Sequence, residues 1–479
     1  MNDKLPNFTR RKFLKFTTLS AGVLATGAIS ALEGCARKVV DPDSKSAFGS
    51  NSPHLAKPAP GTRNPLFVPP TVSPTGLNLT ARPTAVSLGG GRVSSAWTYN
   101  GYLPGPTISA RRGDTASITL VNGLSKETIT HWHGMIVDDV NDGHPRFAIP
   151  PGGSYSYRFS INQRAAFNWY HPHPHMLTGE QVCLGLAGAF LVTDSEESAL
   201  GLPSGAYEVP LVVRDASLDT SGNLQYKPRT GGFLGNIPLV NGTLNPKLDV
   251  DTALYRFRFL NGANSRIFGL ALGNGAAFHL VGNDGGLLDN SVPLGQIDIS
   301  PGERLDVIVD FRQLAVGDRV MLRDNRAGWN LLEFVVTRKI SPSGSIPGVL
   351  SSVTPLPAPV RTREFSFDGM SKINGREYSM TRVDFEVPFG DTELWRFRTA
   401  GNAPHPVHVH GASFQVVSRA GGRGMLFPWE RGWKDTVLLE DGETVEVLIR
   451  FDQFRGLYLI HCHKLEHEDM GMMSNFRVV

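Results

Sequence analysis

Beyond about residue 63, apolar and polar residues alternate with a period of two in short runs. Ala116-Ser-Ile-Thr-Leu-Val121, Tyr255-Arg-Phe-Arg-Phe-Leu260 and Leu394-Trp-Arg-Phe-Arg398 are three of them. A strand sends successive side chains to opposite faces, so each run predicts a strand with one buried face. Long patterns of period 3.6 are absent. Short strands between Gly/Pro turns predict an all-β fold of sandwiches with Greek-key connections.

The strands recur in three copies. Asn100-Gly101, Asn241-Gly242 and Asn374-Gly375 each precede an alternating strand that ends near a second asparagine, Asn122, Asn261 or Asn402. A second block closes each copy. Pro151-Gly152-Gly153, Pro301-Gly302-Glu303 and Asp441-Gly442-Glu443 each lead into a further alternating strand. Spaced repeats of this kind are copies of one structural unit. The predicted domains are 63–200, 201–345 and 346–479, with the Ser/Pro-rich segment 341–360 as the linker before the third.

Composition agrees with many turns. Glycine (52) and proline (33) together exceed a sixth of the 479 residues, against an average of about 12 %. The formal charge of +3 is confined to residues 1–35, which hold five basic and two acidic residues. The neutral remainder has no basic surplus for phosphates, so nucleic acid is not an expected partner. Three cysteines cannot form a disulfide framework. Thr9-Arg10-Arg11-Lys12-Phe13-Leu14-Lys15, followed by an uncharged stretch over 16–32, resembles a twin-arginine export signal. Leu32-Glu33-Gly34-Cys35 resembles a lipoprotein cleavage box, with Cys35 as the lipidated residue. Residues 36–62 read as a flexible tether. The expected location is periplasmic or extracytoplasmic, with Cys35 as a lipid anchor.

Ten of the 14 histidines fall into four clusters: His131/His133, His171/His173, His405/His408/His410, and His461/His463 with His467. The clusters match pairwise between the first and third copies. The middle copy keeps only His279 and is expected to be a spacer. His-X-His on a strand puts both imidazoles on one face, so two such pairs from each of two domains can enclose a site. Imidazole alone admits several metals. His405, Cys462, His467 and Met472 narrow the choice, because two histidines, a thiolate and a weak axial thioether are a blue-copper ligand set.

These four motifs resemble those of three-domain bacterial multicopper oxidases of the laccase and cuprous-oxidase type, over roughly residues 64–479. The resemblance implies cupredoxin-like domains and four copper ions, one in domain 3 and three between domains 1 and 3. It assigns His405, Cys462, His467 and Met472 to type 1 copper and His131 and His408 to type 2. His133, His171 and His463 would hold one type 3 copper, and His173, His410 and His461 the other. Asp142 and Glu468 match acidic positions that the family uses for protons, while Asp435 is a candidate to orient a ligand histidine. His144, His175 and His279 are expected to have ordinary roles, and Cys183 to be a buried thiol.

The implied reaction couples four one-electron oxidations of a small donor to reduction of dioxygen to water, in a monomer. No ligand position is vacant, which weighs against a copper-free, division-associated relative, and methionines are too scattered for a copper-sequestering protein. A cuprous or ferrous oxidase of copper tolerance is the nearer alternative. Only Met370 and Met380 lie between Ser341 and His405, which favours phenols and aromatic amines as donors. The donor is expected at an exposed edge of His405 or His467, beside Pro404, Pro406, Trp429 and Trp433.

Overall fold

The computed structural model describes residues 63–229, 231–341, 344–399 and 404–479. The export signal, Cys35 and the tether lie outside the described residues. Six sheets form, two from each third of the chain. The first sandwich pairs a four-stranded sheet built on Thr75–Gly89 and Thr115–Asn122 with a five-stranded sheet. That second sheet carries Ala166–Pro172 and, at its edge, Thr130–His131. The second sandwich has seven- and six-stranded sheets, and the third has two of five. Strands from distant segments lie parallel, as Arg361–Asp368 does on Thr392–Arg398 and Phe385–Val387 on Met473–Val478. Such pairings need connections that cross between the sheets, as in a Greek key.

The alternation in the sequence becomes the three cores. Leu79, Ile118, Leu120 and Phe190 fill the first, Phe257, Phe259, Val307 and Phe334 the second, and Phe367, Trp395, Phe397 and Val447 the third. Each such side chain, once buried, contributes about 1.5–3 kcal/mol. Cys462 and Met472 belong to the third core.

The repeated Asn-Gly pairs are one device used three times. Asn100, Asn241 and Asn374 have φ of 54°, 47° and 53°, and the glycines after them are also left-handed. Asparagine tolerates this region better than other side chains. Each amide also ties down a neighbouring strand. The Oδ1 atoms accept from Thr80, Val212 and Ser366 N–H groups, all at 2.7 Å. The Nδ2 atoms donate to Asn78, Pro210 and Glu364 carbonyls.

Asn64–Pro65 pairs with Pro246–Asp251, so the chain enters the described structure on the second sandwich. Among the described residues no α-helix exceeds six residues, and no helix is long and apolar enough to cross a membrane. Two of these short helices, Thr178–Cys183 and Leu465–Asp469, each follow a histidine-bearing strand.

Candidate metal centre

The strand His405–Val409 lies between Thr436–Leu439 and Gly456–Cys462, with Val407 opposite Cys462 and His408 opposite His461. The last of these strands ends at Cys462, and the short helix after it supplies His467. Cys462 Sγ is then 3.4 Å from His405 Nδ1 and 3.8 Å from His467 Nδ1, and the two nitrogens are 3.2 Å apart. An ion at the centre of that triangle would lie about 2 Å from each atom, close to a first-row metal bond to nitrogen or sulfur. All three residues are buried. The Cys462 N–H donates to the Met472 carbonyl at 3.1 Å, and both residues are buried in the third core. Burial pushes the Cys462 thiol up to about 12 and His405 down to about 3. A metal here must displace the thiol proton.

The other eight imidazoles meet between the first and third sandwiches, and all are buried. Their tautomers follow from their fixed acceptors. His131 Nδ1 donates to the Asp142 carbonyl (2.6 Å), and His408 Nδ1 donates to the Asp435 carbonyl (2.8 Å). Their Nε2 lone pairs are therefore left facing each other at 3.3 Å. His410 Nδ1 donates to Asp142 Oδ2 (2.7 Å), and His461 Nδ1 donates to the Cys462 carbonyl (3.2 Å), with Glu468 Oε2 also 3.2 Å away. Their Nε2 atoms face each other at 3.0 Å, with His173 Nε2 3.5 Å from that of His461. His171 gives Nδ1 to the Pro172 carbonyl and keeps Nε2 without a partner. His133 gives Nε2 to Asp435 and keeps Nδ1 free. His463 packs 4.9 Å from the His133 ring and 5.3 Å from that of His171, with both nitrogens unpartnered. Lone pairs converging without a proton between them repel, and a cation removes the repulsion. The residues present fit metal at both places.

The predicted carboxylates are also here, and neither is a solvated loop group. Asp142 is fully buried and binds His410 through its side chain and His131 through its carbonyl. Burial, with Asp139 nearby, raises its carboxyl well above the ordinary range. Glu468 Oε1 lies 3.6 Å from His173 Nε2. Burial opposes its ionisation, but His173 and His461 outweigh that and hold it low.

The middle sandwich is more than a spacer. Its Arg304, fully buried, grips Asp435 with two nitrogens at 2.7 and 2.5 Å, and Asp435 Oδ1 accepts from His133 at 3.0 Å. Burial opposes a charge on Asp435, but Arg304 outweighs it and keeps the carboxylate well below its usual range. Asp284 and Glu303 of the same sandwich hold Lys434 at 2.9 and 3.1 Å. The turn glycine Gly302 (φ +85°) touches the histidines so closely that a Cβ there would lie 3.0 Å from His463 and 3.1 Å from His133. The Pro-Gly block is legible in the sequence as a repeat, but its contact with the metal ligands is not.

The donor expectations need correction. His405 and His467 are both fully buried and offer no exposed edge. Trp433 is three residues from Thr436, which opposes His408, whereas Leu439 opposes His405. Trp433 therefore belongs to the other end of that strand pair, with its carbonyl on Gly285. Trp429 packs on the core of the second sandwich. His144 bonds Asn475, His175 stacks edge-on to Tyr378, and Cys183 is a buried free thiol.

Multicopper oxidase family models match residues 80–197 and 353–479. The multicopper oxidase mco of Staphylococcus haemolyticus is 34 % identical over 395 residues, covering 80 % of this chain and 84 % of that protein. A laccase of Bacillus subtilis is 31 % identical over 459 residues, covering 79 % and 89 %. The cell division protein FtsP of Escherichia coli is 33 % identical over 450 residues, covering 88 % and 94 %. The crystal structure of the McoA multicopper oxidase from Aquifex aeolicus superposes with a TM-score of 0.82 at 36 % identity, over 87 % of this chain and 99 % of that one. The fold is accordingly cupredoxin-like, and the histidine clusters suit copper. Similarity over nearly the full length of these relatives, with lone pairs poised for metal at both centres, makes this chain a member of the multicopper oxidase family.

Proposed function

We propose that this chain is an exported, laccase-like oxidase. It takes electrons one at a time from phenols or aromatic amines and delivers four to dioxygen, giving water. Four coppers are assigned: type 1 to His405, Cys462, His467 and Met472, and type 2 to His131 and His408. The type 3 pair goes to His133, His171 and His463, and to His173, His410 and His461. Copper supplies the one-electron redox steps and the binding of dioxygen.

The observation that carries the reading is the strand end His461-Cys462-His463. Cys462 meets His405 and His467 on one side, while its two neighbours turn toward the eight-imidazole cluster. An electron arriving at the thiolate is then one residue from ligands of the dioxygen site. Asp142 and Glu468 are buried against four of those histidines; Asp142 delivers protons there, and Glu468, held ionised, accepts protons and passes them on. The first sandwich has Pro172 in the place of the cysteine and is assigned no type 1 site. The complete ligand set argues against a copper-free role, despite the similarity to FtsP. The twin-arginine segment assigns the protein to the extracytoplasmic side, with Cys35 as its lipid tether and a single chain as the working unit of the proposal.

A cuprous-oxidase reading has one observation in its favour. Exposed Met176 and Met470 flank the paired helices Thr178–Cys183 and Leu465–Asp469, the second of which carries His467. Oxygen uptake with a methoxyphenol and with Cu(I) separates the two. The laccase-like reading expects the phenol to turn over faster, with no need for added copper once the sites are filled. Far better turnover of Cu(I), or phenol oxidation that depends on extra copper, replaces it with the metal oxidase.

A further inference from the structure

A cavity of about 260 Å³ opens where the three sandwiches meet, away from the type 1 ligands. Arg112 and Arg164 of the first sandwich line it, with Arg450 of the third. Asp452 is its one acidic lining residue, 3.3 Å from Arg450 Nε. Among the described residues no carboxylate lies within 4.0 Å of the Arg112 or Arg164 guanidinium. Asp194, near Arg164 in the chain, has its oxygens on the Ala165 and Glu197 N–H groups. The contrast with other arginines here is sharp, since Arg256, Arg258 and Arg304 are each closed by carboxylates. Glu196, Asp194, Asp289 and Glu197 act on Arg164 only from beyond contact distance, and Arg112 is exposed. The cavity therefore offers an anion the unbonded guanidinium N–H donors of Arg112 and Arg164, and such charge-assisted bonds are strong.

The rest of the lining narrows the anion. Trp433, Ile136 and Ala412 give an apolar wall that an inorganic oxyanion would leave unused. A flat ring can stack on Trp433 while its carboxylate meets the guanidiniums. The volume lies just below the range of drug-sized sites, so a single ring fits. We infer that this cavity is a binding site for a small aromatic carboxylate.

The site touches the metal centre through its floor. Gly134 lines the cavity and directly follows His133, and a Cβ there would lie 2.5 Å from both Arg304 and Asn168. Gln163, also in the lining, donates to the Gly134 carbonyl at 2.9 Å and accepts from the Ile136 N–H at 2.8 Å. An occupant therefore rests on the turn that carries His133.

The test is isothermal titration of copper-loaded protein with benzoate and, separately, with inorganic sulfate. Benzoate is expected to saturate one site per chain and to bind about tenfold more tightly than sulfate. The variant R112Q/R450Q should weaken benzoate binding by at least about tenfold, the effect of losing a charge-assisted bond. Trp433→Leu should weaken benzoate but leave sulfate unchanged. Blue absorbance and copper content equal to wild type show that each variant is folded. Absence of saturation by benzoate on the unaltered protein overturns the inference, as does equal affinity in folded R112Q/R450Q. Sulfate binding as tightly as benzoate overturns the aromatic assignment.

Discussion

The strand ends His171-Pro172-His173 and His461-Cys462-His463 occupy the same place in their sandwiches, and only the second has a cysteine between its histidines. The registers show the equivalence: Thr130 opposes Pro172 and His131 opposes His171, as Val407 opposes Cys462 and His408 opposes His461. Carried along the chain, this match sets Thr128 against His405, Leu177 against His467 and Val182 against Met472. Thr128 gives its hydroxyl to Gln181 at 2.7 Å. The ladder is the same in both, so it does not make the site. A type 1 centre needs four side chains together from a strand start, a strand end, a helix and the turn after it. The imidazole cluster needs only pairs on strands, and both sandwiches supply them.

Cys462→Ser should have the greatest effect. Turnover should fall to background and the intense blue absorption should vanish, while copper analysis still finds most of the other three ions. A blue band surviving in that variant would overturn the type 1 assignment. Next comes the middle sandwich. Arg304→Met leaves Asp435 buried without its partner, which costs about 3–5 kcal/mol. Denaturant unfolding of the metal-free protein should register that loss, and an unchanged midpoint would return the middle sandwich to the role of a spacer.

Asp142→Asn probes the cluster alone. Reoxidation of the reduced enzyme by dioxygen should slow by about 10²-fold, the scale of a lost proton donor. Reduction of the type 1 copper by the donor should keep its rate in stopped-flow measurements, and equal slowing of both steps would point to a structural defect instead. A smaller effect is expected at Met472. Its thioether donates weakly and favours the oxidised ion slightly, so Met472→Leu should raise the potential in a redox titration. The least change is expected at Pro172. Pro172→Cys should add no second blue band, because Thr128 and Leu177 supply no imidazoles beside it.

Periodicity makes the strands legible, and spacing makes the ligands legible, because both are local properties of the chain. The Asn-Gly repeats are another local signal, and their common left-handed geometry follows from residue type. Contacts between distant segments leave no such trace. Nothing in the sequence near Arg304 says that it holds Asp435, since the pairing depends on how the second sandwich docks. The burial of His405 and His467 is hidden for the same reason. Trp433 lies away from its expected place because the antiparallel register carries it to the end of the strand pair opposite His405, and nearness along the chain does not reveal that.

The residues proposed to hold type 1 copper are made in a fixed order. A ribosome makes His131 and His133 early, and makes Cys462, His467 and Met472 only after the first two sandwiches and most of the third have been translated. The strand Met473–Val478, which pairs with Gly456–Cys462, comes later still. A nascent chain that has not reached Cys462 thus carries part of the imidazole cluster, and His405 without the thiol that faces it. A centre built on Cys462, His467 and Met472 can therefore form only after the first two sandwiches have been made.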